Sequence, residues 1–324
     1  MKTTVVGSYP KVTTDNQENL PGVIDRWQKQ QVNDAALEQA LQGVTRRVIQ
    51  EQERAGIDLM TDGQIRWEDL THPVGAKLQG VTLGGLRRFF DNNAYYRRPL
   101  VTGTPTWTAP ILVNWFQQAK GMATKPLKVA LPGPLTFAVM AEDQRNGGAT
   151  PEHLVRELAV ALRKEVEALV AAGATHIQLD EPALEPNSPL LDAGLKAINE
   201  IFSGIKATRW VACYFHDVTP IVSKLAALQA DVLSLDLVTG PSLADRLSAL
   251  PQAVALGVLD ARSTKLESPD AVASLVERAA KGRADRTWLT PTCGLEFLPH
   301  SQALKKLDLL VSVARRAAGQ PALR

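Results

Sequence analysis

The sequence predicts an α/β protein and, within this class, a (β/α)8 barrel. Two observations favour this fold: short apolar runs rich in β-branched residues alternate with longer amphipathic segments, and eight such runs can be counted. Near-continuous apolar strands are typical of a parallel sheet that is covered on both faces. A doubly wound sheet is the alternative, but no G-x-G-x-x-G pattern follows the first strand. The predicted strands are residues 3–7, 57–61, 127–131, 175–180, 208–214, 231–236, 253–259 and 286–290.

Helical segments fill the intervals between these strands, and two of them carry clear end signals. A helix is predicted over residues 34–55, between Asp34, which can cap its start, and Gly56, which ends it. Residues 151–172 begin with a proline that follows a capping threonine, as expected for a helix start. Weaker helical patterns cover residues 189–203, 217–228, 241–249, 268–281 and 300–317.

A single catalytic barrel domain is expected over residues 1–324, because this length fits one barrel and no linker divides the chain. Two segments interrupt the alternation of strands and helices. Residues 11–33 are predicted to form a polar loop. Residues 62–126 are a long insertion, which we expect to add a hairpin and a helix that cover the barrel mouth.

The composition excludes several classes of function. The chain has 36 Lys and Arg residues against 34 Asp and Glu residues, so it lacks the basic excess of a protein that binds nucleic acid. No segment reaches the roughly 18 consecutive apolar residues of a membrane span, and the first residues lack the apolar region of a signal peptide. Two cysteines cannot form a disulfide framework. A soluble, cytoplasmic protein is therefore expected, with no nucleic acid and no membrane as partner.

The chemistry of a barrel lies at the carboxyl ends of its strands, and three candidate metal ligands stand there. Cys213, Asp236 and Cys293 follow the fifth, sixth and eighth predicted strands. Two thiolates and a carboxylate suit Zn²⁺, which usually takes four nitrogen, sulfur or oxygen ligands. Spacing alone favours the other interpretation, in which the cysteines are buried apolar residues and Asp236 caps a helix.

Other strand ends carry further candidates. The adjacent acids Asp180 and Glu181 follow an apolar strand, and such a pair marks a functional site more often than a helix cap. Gly133 lies between two prolines and can simply shape a turn. His216 is interpreted as a solvated loop residue, although it lies close enough in sequence to Cys213 to be an additional metal ligand.

Taken together, these strand ends resemble the C-terminal catalytic domain of cobalamin-independent methionine synthase. The resemblance is greater to the short, single-domain core enzymes of that family, and it extends from residue 3 to about residue 300. Seven segments carry it in order: VVGSYP (5–10), AGIDLMTDGQIR (55–66), LPGPLTF (131–137), IQLDEPAL (177–184), CYFHD (213–217), ADVLSLD (230–236) and TPTCGLE (290–296).

The resemblance implies a barrel with a catalytic zinc ion, which binds the thiol of homocysteine as a thiolate that then attacks a methyl group. It assigns the metal ligands to Cys213, Asp236 and Cys293. It also implies that the substrate's carboxylate and amino groups are held at a second set of positions, with Asp180 as the catalytic acid. The substrate-binding residues implied in this way are Ser8, Gln64 and Asp180.

The chain departs from the family pattern at three positions. Val211 stands where the family has a histidine ligand, two residues before the first cysteine. Asp236 is one methylene shorter than the glutamate of the family, and Arg262 replaces a histidine after the seventh strand. These departures imply lost zinc, altered ligands or another substrate, and His216 could supply the missing ligand.

The leading hypothesis is a zinc-dependent methyltransferase that forms methionine from homocysteine. The sequence lacks the N-terminal barrel of the full-length enzymes, so methylcobalamin or a methylated corrinoid protein is the expected methyl donor. Residues 95–98, Tyr-Tyr-Arg-Arg, could dock this donor. The alternatives are a related barrel enzyme that acts on another small thiol or on a uroporphyrinogen decarboxylase-like substrate, and a non-catalytic homologue that binds an amino acid.

Overall fold

The computed structural model of the chain describes residues 1–13, 19–145, 147 and 149–318. Apart from the two long strands β2 and β3, its strands are short, as expected for apolar segments that lie between two layers. Within the described residues they are numbered in chain order as β1 (Lys2–Thr3), β2 (Gln79–Arg88), β3 (Tyr95–Thr106), β4 (Val129–Pro132), β5 (Glu142–Asp143), β6 (His176–Asp180), β7 (Thr208–Cys213), β8 (Val232–Asp236), β9 (Ala253–Leu259) and β10 (Thr287–Pro291).

Seven of these strands form a curled, parallel sheet in the order β1-β10-β9-β8-β7-β6-β4. Two isolated parallel bridges, Thr4 to Leu59 and Met60 to Leu127, connect its two edges through residues 59–60. This short segment therefore stands in the place of the eighth strand and closes the sheet. The predicted α/β barrel is confirmed, and its second strand is shorter than residues 57–61.

Helices pack around this sheet, and most begin or end where the sequence predicts. The two helices with clear end signals cover Asp34–Ala55 and Pro151–Ala171. None of the described helices is long and apolar enough to cross a membrane. The helices are α1 (Leu20–Gln28), α2 (Asp34–Ala55), α3 (His72–Gly75), α4 (Val113–Met122), α5 (Pro134–Met140), α6 (Pro151–Ala171), α7 (Leu191–Phe202), α8 (Val222–Leu225), α9 (Pro269–Ala279) and α10 (His300–Ala317).

Two helices differ from the expectation. Helix α1 lies in the segment that we predicted to be a polar loop; its Leu20 and Val23 are buried against the core. Helix α5 was not predicted, because its sequence, PLTFAVM, is apolar on every side and shows no helical period. Segments 217–228 and 241–249 form short 3₁₀ turns and the single-turn helix α8 instead of longer helices.

The insertion over residues 62–126 contains an antiparallel hairpin, β2–β3, followed by helix α4. The tip of this hairpin reaches the carboxyl end of β7, where the ring centroids of Phe89 and Phe215 lie 5.9 Å apart and those of Phe90 and Phe215 5.8 Å apart. The hairpin and the helix were both predicted. The contact with Phe215 places the hairpin tip over one end of the barrel, whereas α4 packs against α2 and α6.

The interior of the barrel begins with an apolar layer around Trp210. The rings of Trp210 on β7 and Trp288 on β10 lie 5.2 Å apart, although two strands separate β7 from β10 in the sheet. Val232 and Ala255 complete this layer. Residues of non-adjacent strands meet only across the interior, so Trp210 identifies the inward-facing positions of β7.

Candidate functional site

A small cavity lies at the carboxyl ends of the barrel strands, and we call it the inner cavity. Its volume is about 20 Å³, close to the space that one water molecule needs. Several strand-end segments and the tip of the hairpin contribute to its walls. The lining residues are Val6, Ser8, Gln64, Trp67, Asp69, Leu70, Phe89, Asp180, Tyr214, Gly294, Glu296 and Phe297.

Asp180 is the buried acid of this cavity, with 2% of its surface exposed at the end of β6. The amide nitrogen of Gln178 donates a hydrogen bond of 2.5 Å to its Oδ1 atom and a second, of 2.8 Å, to the carbonyl of Val6. Burial raises the pKa of Asp180 from its ordinary value to about 7, although the Gln178 hydrogen bond and the nearby charge of Lys128 lower it. Asp180 can therefore gain and lose a proton near neutral pH.

Lys128 supplies a second charge inside the barrel, and sequence analysis did not identify it. Its ammonium lies 4.6 Å from the ring centroid of Trp210, and no described residue accepts a hydrogen bond from it. Burial lowers its pKa, and the charge of Asp180 opposes this shift. A buried acid and a buried amine thus balance each other beneath the inner cavity.

Gln64 is held in an unusual backbone conformation at the cavity wall. Its φ of 52° lies in the left-handed region, and its side chain is only 7% exposed. The amide nitrogen has no hydrogen-bond partner among the described residues. Since a buried donor without a partner is costly, this amide is available to a ligand in the cavity.

Ser8 lies opposite Gly294, and the two segments approach closely. The carbonyl of Ser8 accepts a hydrogen bond of 2.8 Å from the amide of Leu295, and a Cβ atom on Gly294 would lie 1.8 Å from the Ser8 Oγ atom. Glycine at position 294 therefore leaves room for the serine hydroxyl. Ser8, Gln64 and Asp180, predicted as substrate-binding residues, all line the inner cavity.

Glu296 also lines this cavity, but sequence analysis gave it no role. Its side chain is open to solvent, yet the surrounding protein raises its pKa, while the charge of Lys11 and a hydrogen bond with Ser8 lower it. Solvent reaches Glu296 through a wider depression of about 440 Å³ outside the inner cavity, which Glu296 also lines. In the sequence, the signal that could have identified Glu296 is its position directly after Cys293-Gly294-Leu295, beyond the eighth predicted strand.

We call this depression the outer cleft. It shares Asp69, Leu70, Phe89, Glu296 and Phe297 with the inner cavity, and it adds polar and basic side chains from the hairpin tip and from the loop after β9. The further lining residues are Glu68, Asn92, Asn93, Ala94, Tyr95 and Arg262.

Arg262 is the basic residue of the outer cleft. Its guanidinium lies 5.1 Å from the ring centroid of Phe215, and it forms no ion pair with a carboxylate of the described residues. Phe215 has a φ of 76°, which a bulky residue rarely adopts, and it contacts the rings of Phe89, Phe90 and Phe297. The outer cleft thus combines the rings of Phe89, Tyr95 and Phe297 and the guanidinium of Arg262 with the carboxylates of Glu68, Asp69 and Glu296.

The predicted ligand Cys213 lies on the helix-facing side of the sheet. Side chains alternate along a strand, so Trp210 and Ala212 face the interior while Val211 and Cys213 face outward. Cys213 pairs in register with Leu235, whereas Asp236 is the next residue on β8 and faces the opposite side. Burial raises the pKa of the Cys213 thiol, and the nearby charges of Glu181 and Asp180 raise it further.

Asp236 and Cys293 lie on the inner side of the sheet, but the carboxylate of Asp236 already accepts hydrogen bonds from the next turn. Its Oδ1 atom accepts hydrogen bonds of 2.9 Å from the amides of Val238 and Thr239, and its Oδ2 atom accepts one of 2.8 Å from the Thr239 hydroxyl. Burial and the charge of Asp236 raise the pKa of the Cys293 thiol, while Arg262 lowers it. Asp236 thus caps the turn after β8, the alternative that the sequence left open.

The structure does not bring the predicted zinc ligands together. Among the described residues, no three histidine, cysteine or acidic side chains form a group that could hold a metal ion. His216 does not supply a ligand beside Cys293, since its Nδ1 atom lies 3.4 Å from Glu185 and its ring packs near Phe90. Val211 faces outward and therefore does not occupy a position from which a histidine could reach the interior.

A family model described as the catalytic domain of cobalamin-independent synthases matches residues 1–316. A 5-methyltetrahydropteroyltriglutamate–homocysteine methyltransferase of Nitratidesulfovibrio vulgaris is 31% identical over 98% of this chain, which spans only 41% of that relative's length. A methionine synthase of Sulfurisphaera tokodaii is 28% identical over 95% of this chain and 89% of its own.

Solved structures show the same fold. A B12-independent methionine synthase from a Shewanella species, solved with selenomethionine bound, superimposes with a TM-score of 0.83 at 22% identity, over 98% of this chain and 97% of its own. A putative vitamin-B12-independent methionine synthase from Listeria monocytogenes gives a TM-score of 0.78 at 17% identity, over 98% of both chains.

These comparisons correct one prediction. From the sequence, methylcobalamin or a methylated corrinoid protein was expected as the donor. The matched family is described as cobalamin-independent, and the name of the first relative specifies a methylated folate instead. The corrinoid donor and the corrinoid-protein partner are therefore not supported.

Proposed function

The chain belongs to the family of cobalamin-independent synthases through their catalytic domain, and we propose that it transfers a methyl group to the thiol of homocysteine, which forms methionine. The observation that carries this proposal is the inner cavity, where the buried carboxylate of Asp180 and the unpartnered amide of Gln64 face the same small space. The names of the relatives, which specify homocysteine and methionine, support the choice of acceptor.

The acceptor amino acid is placed with its ammonium group against Asp180. A buried carboxylate pairs with an ammonium group more strongly than an exposed one does, because little water competes. Glu296 offers a second carboxylate, and the Ser8 hydroxyl and the Gln64 amide can donate hydrogen bonds to the acceptor's carboxylate. A zwitterionic amino acid thus finds a partner for each of its charged groups.

The inner cavity is smaller than homocysteine, so the acceptor must displace part of the wall. Phe89 and Phe297 separate the inner cavity from the outer cleft and line both. Movement of the hairpin tip, which carries Phe89, opens the path to Asp180. Closure of the tip over the acceptor then excludes water from the reacting atoms.

The methyl donor is proposed to be a 5-methyltetrahydropteroyl glutamate, bound in the outer cleft. The rings of Phe89, Tyr95 and Phe297, which line the cleft, can stack on the planar ring system, and the guanidinium of Arg262 can pair with an anionic group of the donor. The reaction forms a bond from sulfur to the methyl carbon and breaks the bond from that carbon to nitrogen. The electron pair goes to the donor nitrogen, which takes up a proton, and the acceptor thiol loses one. The chain's contribution is to align the two reactants.

Of residues 95–98, which the sequence suggested as a docking segment, only Tyr95 lines the outer cleft. The Tyr96 hydroxyl donates a hydrogen bond of 2.9 Å to the carbonyl of Met140, and Arg97 and Arg98 pair with Glu68 and Glu142. These three side chains hold the hairpin in place, so the proposed donor contact moves to Tyr95 and Arg262.

Replacing Arg262 tests the placement of the donor. We expect Arg262→Ala to raise the KM for the methylated folate roughly tenfold, because one charge-assisted contact of about 1.4 kcal/mol is lost. The KM for homocysteine should change little. Steady-state kinetics with each substrate varied in turn measures both values. Arg278→Ala is the matched control, because Arg278 is an exposed arginine of α9 that lies near Asp245. An equal effect on the KM for the folate in both variants would contradict the placement of the donor.

The proposed reaction is tested with a donor that carries a deuterated methyl group. Purified protein is incubated with this 5-methyltetrahydropteroyl triglutamate and homocysteine, and mass spectrometry measures labelled methionine. We expect labelled methionine in proportion to the enzyme, and none when homocysteine is omitted. If methionine binds but no label is transferred at saturating concentrations, the chain is a non-catalytic amino-acid-binding homologue. Methylcobalamin serves as a comparison donor, and transfer from it alone would contradict the folate assignment.

A further inference from the structure

We infer that the mouth of this barrel does not hold the two-thiolate zinc centre that the family resemblance implies. The inference follows from the faces of strand β7. The interior positions at and beyond its end carry the indole of Trp210, the methyl group of Ala212 and the phenol of Tyr214. None of these groups is an ordinary zinc ligand at neutral pH.

Tyr214 is placed on the inner side by its contacts. It lines the inner cavity, and its hydroxyl interacts with the carboxylate of Asp180. The residue therefore continues the alternation of Trp210 and Ala212 past the end of β7. A thiol at position 213 cannot point to the same side as Tyr214 while the register of β7 with β8 is kept.

The remaining donors are too few. Cys293 contributes one thiol on the inner side, and both carboxylate oxygens of Asp236 already accept hydrogen bonds from the turn after β8. A zinc site needs at least three protein ligands, even where the fourth position is left for substrate. The described residues offer two at most, and the use of Asp236 would break the turn that it caps.

The small side chain of Ala212 shows what would restore the site. Positions 212 and 214 lie two residues apart on the inner side of one strand, the arrangement in which two ligands can approach one ion. Ala212→His together with Tyr214→Cys would add two donors beside Cys293, which gives the three protein ligands that a zinc site with an open fourth position needs. Val211→His would restore the family's His-x-Cys pattern in the sequence with the native Cys213, but both side chains would lie on the outward face.

Metal content tests the inference without any assay of activity. The protein is purified without chelators and with zinc in the growth medium, and its zinc is measured by plasma mass spectrometry. We expect well below one zinc per chain, and no intense visible absorption from a cobalt–thiolate bond when Co²⁺ is added. About one zinc per chain, lost in both Cys213→Ser and Cys293→Ser, would overturn the inference.

Two engineered variants sharpen the test. The double variant Ala212→His, Tyr214→Cys is expected to bind about one zinc per chain, whereas Val211→His is expected to bind none. The opposite pattern would show that our assignment of faces is wrong. If the double variant does not fold, as judged by circular dichroism, the metal content of the parent and of Val211→His still decides the question.

One consequence rests on the proposed function as well. If the chain methylates homocysteine without this zinc centre, a strong zinc chelator should leave the rate of transfer unchanged within twofold. Absence of transfer altogether would contradict the proposed function and leave the metal inference standing, because zinc content is measured independently. Inhibition of transfer by the chelator, reversed by added zinc, would overturn the metal inference alone.

Discussion

Asp180→Asn is expected to weaken the binding of homocysteine and of methionine by roughly 30- to 1,000-fold. This corresponds to about 2–4 kcal/mol, the usual cost of removing one partner from a buried charge pair. The asparagine keeps the size of the side chain and can still accept the hydrogen bond from Gln178, so the loss reports the missing charge. Isothermal titration calorimetry measures the dissociation constants of parent and variant.

Asp231→Asn is the control for this variant, since it makes the same change at the opposite end of the barrel. Asp231 pairs with Arg209 before β8 and lines neither the inner cavity nor the outer cleft. We expect its effect on amino-acid affinity to stay within twofold. Equal affinities for Asp180→Asn and the parent would exclude Asp180 as the partner of the ammonium group.

The same contact predicts how acceptor binding depends on pH. Burial raises the pKa of Asp180 to about 7, and only its ionised form pairs with an ammonium group. Affinity should therefore be largest above pH 7 and fall as the pH decreases below it, by up to tenfold per unit. Titrations at several pH values check this, and an affinity independent of pH between about 5 and 8 would contradict it. In Asp180→Asn the dependence should become weaker, and the remainder is assigned to Glu296.

Gly133→Ala is expected to destabilise the fold by about 3 kcal/mol. A Cβ atom at this position would lie 2.1 Å from the carboxylate of Glu181, which is buried and cannot simply turn away. This carboxylate accepts hydrogen bonds from the amides of Leu135 and Thr136 and from the Thr136 hydroxyl, at 3.1, 2.8 and 2.6 Å. Overpacking and the loss of these bonds at the start of α5 both cost stability. Denaturation with urea measures the free energy of unfolding.

Gly121→Ala is the matched control, because Gly121 lies in helix α4 and has open space around its Cβ position. There the substitution should be neutral or stabilise the protein by up to about 1 kcal/mol. If Gly133→Ala were as stable as Gly121→Ala, then Glu181 would not hold α5 in place. The result also separates the two adjacent acids: Glu181 is structural, whereas Asp180 faces the cavity.

The barrel was predictable because its strands are short apolar runs separated by helices with recognisable ends. The ends of the strands were predictable in turn, and this is why Ser8, Gln64 and Asp180 were correctly expected at one end of the barrel. Helix α5 escaped prediction, because a segment buried on all sides has no polar face and therefore no helical period.

The faces of β7 could not be read from the sequence. Trp210, Val211, Ala212 and Cys213 are all buried, so the alternation of polar and apolar residues that normally fixes a strand's orientation is absent. A shift of one residue exchanges the two faces of a strand. Cys213 was therefore predicted at the metal site, whereas in the structure it lies on the helix-facing side. The contact between Trp210 and Trp288 across the barrel shows which residues of β7 face the interior.

Glu296, Tyr214 and Lys128 were missed for a different reason. Each is a single residue whose role depends on neighbours that are distant in the chain: Ser8 and Lys11 for Glu296, Asp180 for Tyr214, and Trp210 for Lys128. Sequence spacing carries no information about such contacts. In the cluster at 95–98, Tyr95 lines the outer cleft, whereas Tyr96, Arg97 and Arg98 pair with Met140, Glu68 and Glu142, which are distant in the chain.

The central claim is that the inner cavity between Ser8 and Asp180 receives the amino acid. A crystal structure of the protein with L-methionine tests it most directly. We expect methionine in the inner cavity, with its ammonium group within hydrogen-bonding distance of Asp180 and with the rings of Phe89 and Phe297 displaced. Methionine bound elsewhere, with the inner cavity still closed at saturating concentration, would contradict the account.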